Sequence, residues 1–191
     1  IENDKGQYDD RYEVDWASGC AFVTRQELYT RLGGFDFSYF AHMEEIDLCL
    51  RVKQSGMKIM AMNDTAIFHL GGGTLDYESP NKTFLNFRNN LSTVLKNYST
   101  ASLLFVIPAR LILDGVAGLK FVTEGRFKNM IAIVRAHFSF YAGIRNLSGK
   151  RKKIKKSRKR PLSLHSPVKS ILWNYYIRGI KHFNEFNKKR D

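Results

Sequence analysis

The chain has 191 residues, which is enough for one ordinary domain or a small domain with an extension. Hydrophobic residues make up 43% of it, so it can build a core and wholesale disorder is excluded. The net charge is +13, but residues 1–97 carry 10 Lys or Arg against 14 Asp or Glu, while residues 98–191 carry 21 against 4. This split predicts two functional regions, of which the second has an anionic partner.

The two cysteines, Cys20 and Cys49, lie in apolar runs and form neither a disulfide framework nor a CxxC metal clip. A reduced, cytoplasmic setting is therefore expected. The chain opens on polar residues without an initiator Met or a signal peptide, which suggests a fragment of a longer protein.

Residues 1–97 mix short apolar runs with helical patterns, which predicts an α/β fold. After a polar start, the pattern predicts a buried strand at 20–24 and a short helix that ends at Gly33 and Gly34. The later elements predicted in this half are a helix at 44–55, strands at 57–62 and 66–70, a glycine loop at 71–73 and a helix from 81 to about 98.

Residues 98–149 contain two long apolar stretches, 101–123 and 127–144, each with scattered charges. One proline and three charged residues interrupt the first stretch, and a helix that spans a membrane tolerates few charges. We therefore expect amphipathic α-helices that lie in the membrane interface rather than cross it.

Residues 150–191 form a basic tail. Nine of the eleven residues at 150–160 are Lys or Arg, which predicts a solvated, disordered run. A last helix is expected at 168–186, where apolar and aromatic residues return.

Four short motifs follow one another in the first half of the chain. They are Asp15-Trp16-Ala17-Ser18-Gly19-Cys20, then Gly33-Gly34-Phe35-Asp36, then Glu44-Glu45-Ile46-Asp47-Leu48, and finally His69 before Gly71-Gly72-Gly73-Thr74. Their order and spacing resemble the bacterial family 2 glycosyltransferases, in particular the rhamnosyltransferase-like group. The resemblance covers residues 15–74, and the 81–97 helix, with Arg88-Asn89 and Lys96-Asn97, looks like the family's usual continuation.

The resemblance implies that residues 1–97 are the acceptor-side, C-terminal portion of a GT-A (Rossmann-like) catalytic domain. Such a domain moves a sugar from a nucleotide diphosphate to an acceptor hydroxyl, with inversion. That hydroxyl becomes a good nucleophile when a positioned carboxylate takes its proton. The family's base position holds Glu45 here, where the family has Asp, and Glu44 supports it. The resemblance assigns acceptor binding to Asp15, Trp16, Gly19 and Asp47.

Without the flanking motifs, Glu44, Glu45 and Asp47 would only indicate an acidic first turn that complements the helix dipole. Asp47 in particular is expected to help start the helix.

The same resemblance implies a divalent cation, Mg²⁺ or Mn²⁺, on the diphosphate, with His69 as a ligand. Most of the other ligands are expected outside this chain, because no Asp-x-Asp triplet occurs in it and the nucleotide-binding half is missing. We therefore expect the chain alone to be inactive.

The partners expected are a nucleotide-sugar donor, a glycan or lipid-linked acceptor, and the anionic inner face of the plasma membrane. Two alternatives stay open. The chain could be a non-catalytic remnant that binds a partner enzyme, or a basic nucleic-acid-binding protein, although it carries no nucleic-acid recognition motif.

Overall fold

A computed structural model describes residues 12–62, 64, 65, 67, 68, 79–164 and 173–180. Most of these residues are helical. One antiparallel sheet of two short strands pairs β1 (Tyr12–Glu13) with β2 (Met60–Ala61). The helices are α1 (Gln26–Arg31), α2 (Glu44–Gln54), α3 (Pro80–Asn97), α4 (Thr100–Thr123) and α5 (Phe127–Ser157), with a 3-10 turn at Phe37–Tyr39 and a π-helical turn at Trp173–Ile177. Membership of a GT-A domain stays a prediction.

The helix predicted at 44–55 is confirmed as α2. Three acidic residues lie in its first turn, and Arg51 and Lys53 lie in its last, so charges at both ends complement the helix dipole. Gly56 follows with φ +87°, the left-handed conformation in which helices commonly end.

The start of α3 is fixed by two residues. The Ser79 hydroxyl accepts a hydrogen bond from the backbone N–H of Lys82 at 3.2 Å, and Pro80 occupies the first helical position. The start of α4 uses the same device, because the Ser99 hydroxyl accepts from the N–H of Ser102 at 3.0 Å.

Helices α3, α4 and α5 form a three-helix bundle around a small core. Leu91 of α3 packs against Phe140 and Leu147 of α5, with Leu95, Ile107 and Leu111 around them. Asn129 donates to the Thr83 hydroxyl at 2.8 Å, and near the other end of α5 Arg151 donates to the Leu95 carbonyl. These two contacts show that α5 runs parallel to α3.

The prediction of a buried strand at 20–24 is wrong. These residues are exposed and form no strand, and the side chain of Val23 is fully exposed. A strand is stabilised by a neighbour, and the described sheet contains only β1 and β2. The strand predicted at 57–62 is reduced to Met60–Ala61. The 66–70 prediction falls largely outside the described residues, and Ile67 and Phe68 are not in a strand.

The two helices predicted in the second half are confirmed, but the disordered run predicted at 150–160 is wrong over 150–157. There α5 continues without a break to Ser157. Partners for the basic side chains explain this, since Lys150 donates to Asp36 at 2.6 Å and Lys155 to the Thr100 hydroxyl at 3.1 Å. The helix predicted at 168–186 lies mostly outside the described residues.

Helix α4 is 24 residues long and continues past Pro108, which lies inside it. Among the described helices it alone is long and apolar enough to cross a membrane by length and composition. Two of the charges that interrupt it belong to one ion pair, in which Arg110 Nε lies 2.8 Å from Asp114 Oδ1. One side of the helix is exposed and apolar along much of its length, and it carries Leu104, Phe105, Ile112, Val116 and Leu119.

Candidate functional site

The first motif lies alongside the third. Residues 15–19 run along α2 in the direction opposite to the helix, so that Gly19 reaches the helix start. The contacts are, in order, Asp15 with Lys53, the Ala17 N–H with Cys49 Sγ at 3.4 Å, and Gly19 with Glu45. A Cβ atom at Gly19 would lie 3.5 Å from Cβ and Cγ of Glu45. The fold therefore brings Gly19 and Glu45, which the sequence assigned to one site, into direct proximity.

The loop that leads into α2 has an unusual backbone. Phe40, His42 and Met43 have φ angles of 65°, 66° and 74°, although none of them is glycine. Side chains with a Cβ atom disfavour this left-handed region. Strained backbone of this kind persists only where the surroundings hold it, and it is concentrated at functional sites.

Two side chains of helix α3 hold this loop in its conformation. The side-chain amide of Asn89 lies within 3.0 Å of the carbonyl oxygens of Tyr39, Ala41 and His42. The neighbouring Arg88 donates to the carbonyl oxygens of Ser38 and Tyr39 at 2.9 and 3.0 Å. Asn89 is buried, so its amide has these carbonyls as partners in place of water.

Glu45 is the carboxylate best suited to take a proton. Burial raises its pKa, and the nearby charge of Glu44 raises it further. Among the described residues, its buried Oε2 atom has no hydrogen-bond partner, and the same holds for Glu44 Oε2 and His42 Nε2. A carboxylate with a raised pKa and a free oxygen is chemically equipped for general base catalysis.

His42 brings a second titratable group to this loop. Burial lowers its pKa, and the charge of Lys82 lowers it further. The neutral ring that this favours can donate or accept a hydrogen bond but adds no positive charge beside Glu45.

Asp47 is fully buried at the centre of an ionic network. It accepts hydrogen bonds from Arg51 Nε at 3.0 Å and from the Asn97 amide at 2.8 Å, and Lys96 Nζ lies 3.0 Å from its Oδ1 atom in an ion pair. Arg51 also donates to the carbonyl oxygens of Leu32 and Gly34, so the network ties the Gly-Gly motif to α2. These contacts give Asp47 a structural role in the tertiary fold, and its expected part in starting the helix stays a prediction. Its assignment to acceptor binding stays a prediction.

Asp36, from the Gly-Gly-Phe-Asp motif, connects three parts of the chain. Lys96 of α3 and Lys150 of α5 lie 2.7 and 2.6 Å from its two oxygens. Although burial opposes ionisation, the hydrogen bonds from Lys150 and Lys96 hold the pKa of Asp36 well below its usual range. The basic end of α5 thus helps to hold the Gly-Gly-Phe-Asp motif in place.

The other residues assigned to the site differ in accessibility. Asp15 is buried and paired with Lys53, whereas the Trp16 side chain is 48% exposed next to it. Trp16 is therefore available to an acceptor, while the Asp15 carboxylate is engaged within the fold. His69 lies outside the described residues.

The described residues do not supply a metal site by themselves. No group of three or more His, Cys, Asp or Glu side chains in them lies close enough to hold an ion. A divalent cation, with His69 as a ligand, stays a prediction.

Sequence analysis did not single out His42 or Lys150, and it noted Arg88 and Asn89 only as part of a family pattern. Their contribution depends on contacts with distant residues, such as Lys150 with Asp36. The Arg88-Asn89 pair was the one signal in the sequence that could have indicated how the loop before α2 is held.

Comparison with known proteins gives short, partial matches. The chain is 41% identical over 46 residues to Rhamnosyltransferase WbbL of Escherichia coli (strain K12), which covers 24% of this chain and 17% of that protein. It is 32% identical over 56 residues to N-acetylglucosaminyl-diphospho-decaprenol L-rhamnosyltransferase of Mycobacterium tuberculosis (strain CDC 1551 / Oshkosh), which covers 29% of this chain and 18% of that protein.

The matches thus span less than a fifth of each relative's length. No protein-family model matches the chain. No solved structure matches it. The partial matches support a relationship to glycosyltransferases.

Proposed function

We propose that the chain forms the acceptor side of an inverting, family 2 glycosyltransferase. The reaction moves a sugar from a nucleotide-diphosphate sugar to a hydroxyl of a lipid-linked or surface polysaccharide. The observation that carries this proposal is the state of Glu45, which has a raised pKa, a buried oxygen without a partner, and a place directly after a strained loop.

In the proposed mechanism, Glu45 accepts the proton of the acceptor hydroxyl as that oxygen attacks the anomeric carbon. A raised pKa makes the carboxylate a stronger base once it is ionised. Glu44 orients the acceptor or the loop, and Trp16 offers an exposed aromatic face on which a sugar ring can lie.

The donor side of the reaction needs groups beyond the described residues. A divalent cation would neutralise the diphosphate leaving group when bound, with His69 as one of its ligands. The name of the mycobacterial relative describes an acceptor whose N-acetylglucosamine is linked through a diphosphate to decaprenol. A polyprenyl-diphosphate acceptor is accordingly part of this proposal.

A lipid-linked acceptor requires that the protein reach a membrane. Support comes from the exposed apolar side of α4 together with basic residues in the neighbouring helix. An apolar helix face flanked by Lys and Arg binds to the surface of an anionic bilayer. We propose peripheral attachment to the inner face of the plasma membrane.

The first test is the reading frame upstream of Ile1. An in-frame nucleotide-binding half with an Asp-x-Asp motif supports the enzyme, and its absence favours a non-catalytic interaction protein. The second test is glycosyl transfer by the catalytically complete protein with Glu45→Gln. A loss of at least 100-fold in kcat is expected for a general base. Near-normal turnover would remove Glu45 from the mechanism.

A further inference from the structure

A cavity of about 450 Å³ opens between the second half of α4 and the first half of α5. Its volume lies within the range of roughly 300–1,000 Å³ that is usual for small-molecule sites. Gly115 and Gly118 leave room on the α4 side, and a Cβ atom at Gly115 would meet nothing within 4 Å. The apolar lining is formed by Leu111, Leu119, Val122, Met130, Ile133 and Val134.

The cavity is continuous with the exposed apolar surface of the two helices. Leu119 and Val134 line it and are also 68% and 45% exposed. Val116 and Ile131, which lie near them in the sequence of the helices, are exposed as well. An apolar chain in a membrane could therefore enter the cavity without crossing a polar rim.

One end of the cavity carries a buried polar group. Asp114 is 99% buried, and its Oδ2 atom lies 2.9 Å from His137 Nε2. Its Oδ1 atom lies 2.8 Å from Arg110 Nε but without hydrogen-bond geometry. Both Asp114 and His137 line the cavity. Because Asp114 Oδ1 is an acceptor without a donor, it favours a ligand whose polar end carries an O–H, as a singly protonated phosphate does, over a wholly apolar one.

Positive charge is found at this same end. Arg110 lies one helical turn before Asp114 on α4, and its side chain is 30% exposed. Tyr141 lines the cavity, and the exposed Arg145 follows it by one turn on the same side of α5. Apolar walls that end at Asp114, with Arg110 paired to it and Arg145 one helical turn beyond Tyr141, match an apolar chain with a phosphate head.

We propose that this cavity binds the isoprenoid chain of the polyprenyl-linked acceptor, with the phosphate end of that lipid at Arg110 and Arg145. The inference rests on the proposed function, because a lipid-linked acceptor is what would bring such a chain to this protein. The inference goes beyond the proposed function because it assigns the isoprenoid chain a binding site between α4 and α5. This site is separate from the surface that attaches the protein to the membrane.

The test uses geranylgeranyl phosphate with a terminal diazirine, incorporated in anionic vesicles. The vesicles are mixed with the intact protein and then photolysed. Crosslinks located by mass spectrometry are expected on cavity residues such as Val122 and Met130. Gly115→Leu should lower this labelling at least tenfold, because the new side chain fills the open space. Leucine is also a better helix former than glycine, so the variant should fold.

The matched control is Gly149→Leu, an exposed glycine in α5 with nothing within 4 Å of its Cβ position. This variant should be labelled like the unchanged chain. Equal labelling of both variants, or crosslinks confined to the exposed residues Leu104 and Phe105, would mean partition into the bilayer and overturn the proposal. A diazirine-tagged palmityl phosphate that labels the cavity equally well would overturn the preference for an isoprenoid.

A second measurement separates this inference from the proposed function. In glycosyl transfer by the catalytically complete protein, Gly115→Leu should raise KM for a long-chain polyprenyl acceptor at least tenfold. Turnover of a short-chain, water-soluble acceptor should not change. An unchanged KM would overturn the proposal that the cavity binds the isoprenoid chain, but it would not contradict the proposed transferase function. Specific photolabelling without any transfer activity would support the cavity and count against the proposed function.

Discussion

The side-chain amide of Asn89 lies 2.8 Å from the carbonyl oxygen of His42, and thereby joins the middle of α3 to a loop of unfavourable backbone conformation. We expect Asn89→Ala to lower the free energy of unfolding by roughly 1–3 kcal/mol, because it leaves buried carbonyl groups without a donor. Urea denaturation measures this loss.

The same variant should also increase hydrogen exchange at the amides of residues 40–45, because the clamp on the loop is gone. Asn90→Ala, at a half-buried neighbour on α3, is the control and should change neither quantity appreciably. Protection that stays at its original level in Asn89→Ala would show that the loop does not depend on this amide.

The network around Asp47 gives a second prediction. Asp47→Ala leaves Arg51 and Lys96 without their shared buried carboxylate, and we expect a loss of roughly 3–5 kcal/mol in the free energy of unfolding. Lys58→Ala, which removes an ion pair with Glu13 from a lysine whose side chain is 75% exposed, should cost less than about 1 kcal/mol. Similar midpoints of chemical denaturation for the two variants would contradict this account.

Glu45 should reduce stability when it is ionised. Burial raises its pKa, so the folded state is weakened as pH rises from the ordinary value of 4.5 through the raised value. We therefore expect Glu45→Gln to raise Tm at neutral pH, on the order of 2 °C, and to have no effect below the ordinary pKa. Thermal unfolding at several pH values measures this, with Glu27→Gln at an exposed site as the control. A Tm lowered at neutral pH would contradict a destabilising charge at Glu45.

The contact between Lys150 and Asp36 predicts the opposite dependence on pH. Because the folded pKa of Asp36 is lowered, its stabilisation is complete above its ordinary value of 3.8 and is lost as pH falls below it. Lys150→Gln should cost about 1 kcal/mol at neutral pH, and the difference should shrink under acid conditions. Lys152→Gln, exposed on the same helix, is the comparison and should be neutral throughout. A loss in Lys150→Gln that persists at low pH would assign its origin to another contact.

Membrane attachment predicts a further effect on the exposed side of α4. Leu104 and Phe105 are 71% and 77% exposed, and each would contribute roughly 1.5–3 kcal/mol if fully buried in lipid. The double change Leu104→Ser with Phe105→Ser should lower sedimentation with anionic vesicles at least tenfold. Val23→Ser, at an exposed apolar side chain outside the bundle, is the control. Unchanged sedimentation of the double variant would exclude this face as the attachment surface.

The parts of the fold that follow from local sequence could be predicted. Helix α2 has acidic residues at its start and Gly56 at its end, and these signals lie within the segment itself. The proximity of Gly19 to Glu45 was anticipated through the order of the motifs, since both residues were assigned to one site.

The parts that depend on distant partners could not be predicted. Nothing in Phe40, His42 or Met43 indicates a positive φ, because the conformation is held by carbonyl contacts with Asn89, more than forty residues away. The helical continuation of the basic run depends likewise on contacts such as that of Lys150 with Asp36, 114 positions apart. Charge density alone predicted disorder there.

The bundle has a consequence for the choice of acceptor. Helix α3 is a single rod of 18 residues, or about 27 Å, which clamps the loop before Glu45 and packs directly against α4 and α5. With the latter two on a bilayer, no hinge separates the base from the lipid surface. The proposed base, Glu45, would then be held at a fixed height above the membrane. If the proposed base and the proposed membrane attachment both hold, an acceptor hydroxyl one sugar too close to the lipid or too far from it would lie out of reach of Glu45.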